Sequence, residues 1–339
     1  MSHTEIRALV VTAPGRAEIQ LVPEPVATAN EVVVDVHRAG ICGTDVELFT
    51  GEMAYFESGH TSFPVRLGHE WMGVVSQLGE GVDPSWLGER VTGDTMMGCG
   101  SCRRCTRGKQ HLCDTRGELG IRDGRPGALA EKVAVPVSSL RRLPENVSDV
   151  AGALVEPGGN AYRAVEAAAL SNSDRCLIIG PGTIGVLCAM FARAAGADVH
   201  LVGVDEASVA FARELGFSAS SAAMLPALPW DAIIDASNDR HSPARAIDLA
   251  EPGGRVVCIG LSSEASLIDT RQAVLKDVTL VGVLSASPGL DGAIASYAAG
   301  SVDPTPLVAA SVPLEDLPRI LAGQRPEGRG PKIQVAPQQ

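Results

Sequence analysis

The chain predicts a two-part fold, a β-rich first region followed by a doubly wound α/β region, and three observations carry that expectation. Branched residues recur at short spacing with Gly and Pro between them over residues 6–144, the pattern of short strands and turns. From Val147-Ser148-Asp149-Val150-Ala151-Gly152-Ala153-Leu154 onward, alanine-rich stretches alternate with short apolar runs. At 339 residues the chain exceeds one ordinary domain, so two are the natural division.

The first strands read as Ala8-Leu9-Val10-Val11, residues 31–36 and Gly73-Val74-Val75. In the second region Cys176-Leu177-Ile178-Ile179 is an apolar run between Arg175 and Gly180, the pattern of a strand buried on both faces. A helix over 186–195, a strand over 199–202, a helix over 207–215 and strands over 232–235 and 255–259 continue the alternation. Such alternation implies a parallel sheet with right-handed crossovers. The tail from residue 286 contains Val312-Pro313-Leu314 and Lys332-Ile333-Gln334-Val335, segments able to return and complete the first domain. The expected division is therefore 1–150, 151–285 and 286–339, with a cysteine-rich lobe at about 95–115. The sequence holds no internal repeat and no low-complexity segment.

A hydrophobic content of 45% supports true cores and excludes global disorder. The formal charge of −12 argues against nucleic acid or an anionic membrane as partner, since both reward a basic face. No apolar run approaches the ~20 residues of a spanning helix. The start Met1-Ser2-His3-Thr4-Glu5-Ile6-Arg7 has no apolar stretch of the kind that opens a secretory leader. Eight cysteines without such a leader point to a reducing cytoplasm, where thiols stay available for metal.

Four of those cysteines stand as Cys99-x2-Cys102-x2-Cys105-x7-Cys113. Four thiolates at this spacing can close a tetrahedron around one zinc ion. Core cysteines rarely bunch so, and Arg103, Arg104, Arg107, Gly108 and Lys109 describe an exposed loop. A disulfide framework belongs mainly to short secreted chains. An iron–sulfur cluster also accepts four cysteines, but the remaining motifs favour zinc.

Gly180-Pro181-Gly182-Thr183-Ile184-Gly185 fits G-x-G-x-x-G directly after a buried strand and at the start of a helix. In that setting the first glycine permits the tight turn, the second admits a pyrophosphate and the third lets helix and strand pack closely. The phosphates then face the unpaired N–H groups of the helix start. The position ending the next strand is Gly203, with Asp205 two residues on. Gly203 removes the usual acid for a ribose diol, whereas Asp205 and the absence of an adjacent Lys or Arg oppose a 2′-phosphate, so NAD is favoured over NADP.

Upstream, Gly40-Ile41-Cys42-Gly43-Thr44-Asp45 and Gly68-His69-Glu70 place a thiol, a hydroxyl, an imidazole and a carboxylate beside strands, and Leu154-Val155-Glu156-Pro157 adds an acid where the composition changes. Cys42, His69 and Glu156 would make a three-ligand zinc site with a fourth position open to water or substrate. Each residue alone is more often core or surface than ligand. Their occurrence beside the tetrad and the glycine loop gives them weight.

With these motifs assembled the chain resembles the zinc-dependent medium-chain dehydrogenases/reductases, the superfamily of alcohol, sorbitol, threonine, glucose and aminocyclitol dehydrogenases. The resemblance runs through Cys42-Gly43-Thr44-Asp45, Gly68-His69-Glu70, the four-cysteine lobe, Glu156-Pro157, Gly180 to Gly185 and Lys332. It implies a GroES-like β-barrel catalytic domain with an inserted Rossmann domain. It implies catalytic zinc on Cys42, His69 and Glu156, with Glu70 close behind as a supporting or exchanging ligand, and structural zinc on Cys99, Cys102, Cys105 and Cys113. Asp45 would orient His69, and Thr44 would hydrogen-bond a substrate hydroxyl. The implied reaction is hydride transfer between a secondary alcohol and NAD(P), with zinc as Lewis acid. Dimers and tetramers are usual in that superfamily.

Many of its alcohol dehydrogenases carry a proton-relaying histidine five residues after the first ligand; here that position is Glu47. The acid moves the expectation toward polyols, sugars and aminocyclitols. Trp71 reads as a packing residue, and His60, in the loop between the ligand motifs, as a solvated one. Cys176, Cys188 and Cys258 fall in apolar segments and read as core. Two other readings are a zinc-free quinone or enoyl reductase of the same superfamily, which would lack the ligands present here, and a zinc-ribbon binding protein, which the acidic charge and glycine loop oppose.

Overall fold

The strand Glu31–Gly40 organises the first unit, because Val32, Val33, Val34 and Val36 are all buried and both of its edges are used. In the computed structural model, which describes residues 4–339, Glu70–Leu78 pairs antiparallel along one edge. The other edge is shared: Lys132–Pro136 takes residues 31–35 and Lys332–Val335 takes residues 39–40. Val308–Val312 extends the sheet beyond Lys332–Val335, while Arg90–Gly93 and Leu140–Arg142 extend it beyond Glu70–Leu78. Leu9, Leu48, Leu67, Trp71, Leu119, Leu129 and Val335 share one apolar cluster, so the tail does complete the first core. Trp71 is a packing residue: a Cβ on Gly93 would lie 2.6 Å from its ring. Met1–His3 lie outside the described residues.

The second unit is a six-stranded parallel sheet. Its strands are Arg175–Ile179, Asp198–Gly203, Ser218–Ser221, Trp230–Asp235, Ala250–Cys258 and Thr279–Gly282, and their spatial order is 3-2-1-4-5-6 in chain sequence. That order reverses direction between the first and fourth strands, the crevice where doubly wound sheets bind ligands. Cys176, Leu177 and Ile178 are fully buried, as an apolar run in a central strand requires. Cys188 is buried and Cys258 half-buried.

The chain divides into residues 1–156 with 305–339, and residues 157–304. The second unit thus runs past residue 285, the end expected from sequence. The helix Leu290–Ala298 explains the extension: a Cβ on Gly158 would meet Tyr297 and Ala293, and Phe191 stacks on Tyr297 with ring centroids 6.1 Å apart. Among the described residues no helix is long and apolar enough to cross a membrane.

Candidate functional site

Cys42 caps the helix Gly43–Thr50 at the end of the strand Glu31–Gly40. Two residues into that helix, Asp45 is fully buried and ties the site together. One carboxylate oxygen accepts the Cys42 N–H at 2.8 Å and the other accepts the Gly68 N–H at 3.2 Å. The second oxygen also lies 3.7 Å from His69 Nδ1. A single acid therefore positions the thiol loop and the imidazole loop against each other. Burial works against a charged His69 ring, but Asp45 and Cys42 outweigh it and hold the ring well above its usual range.

Glu70 opens the strand Glu70–Leu78 directly opposite Gly40. Its side chain is 1% exposed, and Oε1 accepts a 2.7 Å hydrogen bond from Lys332 Nζ, which also donates to Ile41 O at 2.9 Å. Oε2 is buried with no hydrogen-bond partner among the described residues. A Cβ on Gly40 would sit 2.1 Å from that oxygen, so the absence of a side chain at Gly40 makes room for the carboxylate. Leaving a buried acceptor unpaired costs about 1–3 kcal/mol, and more for a charged one.

Ligand atoms of Cys42, His69 and Glu70 all lie within 4.8 Å of one another. Sulfur, nitrogen and oxygen donors from half-buried Cys42 and buried His69 and Glu70, with His69 Nδ1 and Glu70 Oε2 both lacking a hydrogen-bond partner among the described residues, fit zinc. Glu156 is buried in the first turn of the helix Val155–Ala168 and lies outside that group. The local reason is adjacency: Glu70 follows His69 on the strand that faces Gly40. Thr44 and Glu47 occupy the same face of the helix Gly43–Thr50, three residues apart. Burial, then Glu52, raises the Glu47 carboxyl above its ordinary range.

The four-cysteine lobe is preformed. Cys99, Cys102, Cys105 and Cys113 bring their sulfurs within 4.8 Å of one another, and all four are free thiols. Cys99 Sγ lies 4.0 Å from Cys105 Sγ, and Cys102 Sγ lies 3.9 Å from Cys113 Sγ. A tetrahedron with Zn–S of ~2.3 Å has an edge of about 3.8 Å, so the spacing fits zinc and is far beyond a disulfide. Backbone N–H groups of Cys99, Cys102 and Cys105 point at sulfurs at 3.4–3.5 Å. Donors from Ser101 and Cys102 pull the Cys99 thiol down to about 5, whereas burial and the neighbouring sulfurs push Cys105 up. A Cβ on Gly98 would lie 2.5 Å from Cys105 Sγ.

In the second unit the first and third glycines of the loop are crowded and the second is open. Gly180 has φ +94° and faces Ala236 O, where a Cβ would come within 3.0 Å. Gly185 permits the close pass of helix and strand, since its Cβ would lie 1.8 Å from Gly180 O. Gly182, capping the helix Thr183–Ala194, opens on free space, as a phosphate approach requires. Pro181 packs toward Gly203, whose Cβ would be 2.6 Å from its ring. Asp205 caps the helix Glu206–Glu214 and accepts the Ser208 N–H at 2.8 Å.

The partner of Glu70 escaped sequence reasoning as a functional group. Lys332 was marked only by resemblance, yet a signal existed: a lysine opening the buried strand Lys332–Val335 must find an anion. His60 is a loop residue whose side chain stays 42% exposed, as expected, and it also meets Arg122 at 3.2 Å and Asp123 at 3.6 Å.

Known proteins resemble this chain over most of its length. Residues 28–145 match the alcohol dehydrogenase GroES-like domain, and residues 183–297 match the zinc-binding dehydrogenase family. The chain is 31% identical to the 2-dehydro-3-deoxy-L-galactonate 5-dehydrogenase of Pseudoalteromonas atlantica, over 91% of this chain and 92% of that protein. It is 33% identical to the L-threonine 3-dehydrogenase of Saccharopolyspora erythraea, over 82% of this chain and 83% of that protein. A short chain alcohol dehydrogenase of Escherichia coli CFT073, solved with NADH, superposes with a TM-score of 0.90 at 25% identity, covering 98% of this chain and 99% of that one.

Proposed function

The chain belongs to the zinc-dependent medium-chain dehydrogenase/reductase family, and on that premise we propose that it transfers hydride between a secondary alcohol and NAD(P), giving the ketone. The observation that carries the proposal is the group of half-buried Cys42 with buried His69 and Glu70, in which one Glu70 oxygen is short of a partner. Zinc held there supplies Lewis acidity that lowers the pKa of a bound alcohol toward neutrality. Glu156 is a further ligand candidate beside these three. Gly180 to Gly185 would hold the nicotinamide cofactor, which would supply the hydride acceptor.

The chain's own residues handle orientation and the proton. Asp45 holds the Cys42 and Gly68 backbones, and its carboxylate faces His69 Nδ1 at 3.7 Å, so its charge acts on the ring from that side. Lys332 anchors Glu70 through Oε1 and leaves Oε2 for the metal. Thr44 Oγ would take the substrate's hydroxyl proton as it releases its own hydroxyl proton, and Glu47, on the same helix face, would accept that released proton and pass it to solvent. NAD is the preferred cofactor, because residues 203–208 carry Asp205 and Glu206 and no Lys or Arg.

The substrate is a polyol, sugar or aminocyclitol-like alcohol, and similarity to a sugar-acid dehydrogenase supports that class. The chain works as a homodimer or homotetramer. Support comes from the edge strand Thr279–Gly282 and exposed Leu267, Val274, Leu275, Leu280 and Leu284 around it. Four free thiols close together suit a reducing compartment, the cytoplasm. The test is NAD(P)H formation over a panel of polyols, sugars, sugar acids, aminocyclitols and threonine, with metal analysis and light scattering on the same sample. Turnover with about two zinc ions per chain is expected; a metal-free chain that reduces quinones or enoyl substrates overturns the reading.

A further inference from the structure

The loop between the two ligand-bearing segments and residues 123–126 enclose a polar cavity in the first unit. Its volume is about 290 Å³, and its walls include His60, Thr61, Ser62, Arg66, Asp123 and Arg125. None of these groups has a part in the reaction proposed above.

Arg66 is the unusual member. It is half-buried, and among the described residues no acid stands within 4.0 Å of its guanidinium. Burial alone pulls it below its ordinary pKa, with no carboxylate pushing back. The other cations nearby are matched: Arg125 Nη1 lies 3.0 Å from Glu31 Oε1, and Arg122 faces Asp123 at 3.4 Å and Glu118 at 4.0 Å. Asp123, the only carboxylate among the wall residues, is held between Arg122 Nε and His60 Nδ1, the latter at 3.6 Å. It is therefore engaged away from Arg66. The hydroxyls of Thr61 and Ser62 make no hydrogen bond among the described residues, so two neutral donors belong to the same cavity wall as the unmatched cation.

A cation partly removed from water without a counter-charge pays desolvation that only an anion offsets. Guanidinium presents a planar fork of donors that suits carboxylate and phosphate, and added hydroxyl donors complete such a cradle. We propose that this cavity binds the anionic group of a small molecule, a carboxylate or a phosphate, through the Arg66 guanidinium with the Thr61 and Ser62 hydroxyls.

The probe is inorganic phosphate, titrated calorimetrically into the zinc-loaded full chain at fixed ionic strength in chloride, with acetate run in parallel. Saturable one-site binding is expected. Arg66→Gln should weaken it about 10- to 100-fold, the loss of a charge-assisted hydrogen bond of ~1.5–3 kcal/mol. Arg66→Lys should retain part of the affinity, and the unliganded melting temperatures of both variants report whether they fold. Phosphate that competes with the alcohol in turnover identifies the anion as part of the substrate; phosphate that binds without competing identifies a separate ligand, and both support the site. Absence of saturable binding, or equal binding by wild type and a folded Arg66→Gln, overturns it.

Discussion

Lys332→Met is the sharpest test of the candidate site, because it removes one charge while nearly conserving side-chain length and volume. The ammonium is 3% exposed and gives hydrogen bonds to Glu70 Oε1 at 2.7 Å and Ile41 O at 2.9 Å. Burial opposes its charge, but Glu70 first, then Cys42 and Asp45, hold it above the ordinary lysine value. A lysine raised in this way contributes its full stability below its unfolded pKa and loses it only as pH rises through the folded value, so an assay at neutral pH reads all of it. Removing one partner of a buried pair costs about 3–5 kcal/mol. At ~2–4 °C per kcal/mol for a domain of roughly 150–250 residues, the unfolding midpoint should fall by about 6–20 °C. The measurement is scanning calorimetry on zinc-stripped and zinc-loaded protein. The deficit should be larger in stripped protein, where Glu70 loses its last partner, and Glu70→Gln in the same chain should recover much of it by discharging the orphaned carboxylate. A stripped Lys332→Met within about 2 °C of wild type, or a double variant no better than Lys332→Met alone, refutes the reasoning.

Cys99→Ser should lower bound zinc from about two ions per chain to about one, read by elemental analysis; unchanged zinc content would show that the tetrad does not hold the metal. Glu47→Gln should reduce turnover by about 10²–10⁴-fold. Its raised carboxyl must be ionised to accept a proton during alcohol oxidation, so the wild-type rate falls as pH drops through that raised value, and the variant should lose this acid limb. A superimposable pH profile rules out the relay. Gly182→Ala should fold with an unchanged melting temperature and raise KM for the cofactor, because its Cβ meets nothing but the phosphate approach, whereas Gly185→Ala should be destabilised by a Cβ 1.8 Å from Gly180 O. Equal behaviour of the two variants contradicts the division of roles.

Legibility from sequence followed the range of the interactions involved. The cysteine tetrad and the glycine loop are local, and their residue spacing already states their geometry: sulfurs within 4.8 Å, and one open glycine between two crowded ones. The tail's return was legible as an apolar segment without a local partner, found paired to residues 39–40. The standing of Glu70 was not legible. Whether an acid beside His69 ligates or supports depends on what stands opposite it, and that is Gly40, thirty residues away. Arg66 was invisible for a related reason, because a missing partner leaves no mark in a sequence. The second unit ends at residue 304, although Leu290, Ala293, Ile294 and Tyr297 already stand at helical spacing in the sequence; which unit that buried stripe packs on is decided by distant residues, Gly158 and Phe191.

Charge explains why a lysine from the far end of the chain belongs to this group. Half-buried Cys42 and buried Asp45 and Glu70 are three potential anions, and among the described residues His69 and Lys332 are the cationic side chains paired with them. With a neutral imidazole, as ligation requires, three anions face one ammonium, a deficit of two charges that a divalent cation cancels. Without metal the group can relieve the excess by protonating His69, the direction in which Asp45 and Cys42 drive it. Metal and proton therefore compete for the same ring, and zinc affinity should rise with pH as the imidazolium is lost. Lys332 sets the remainder to zero. A neutral residue there leaves the zinc-loaded group one charge negative, which disfavours any developing anion on a bound alcohol, so Lys332→Met should lower turnover even in protein that retains full zinc.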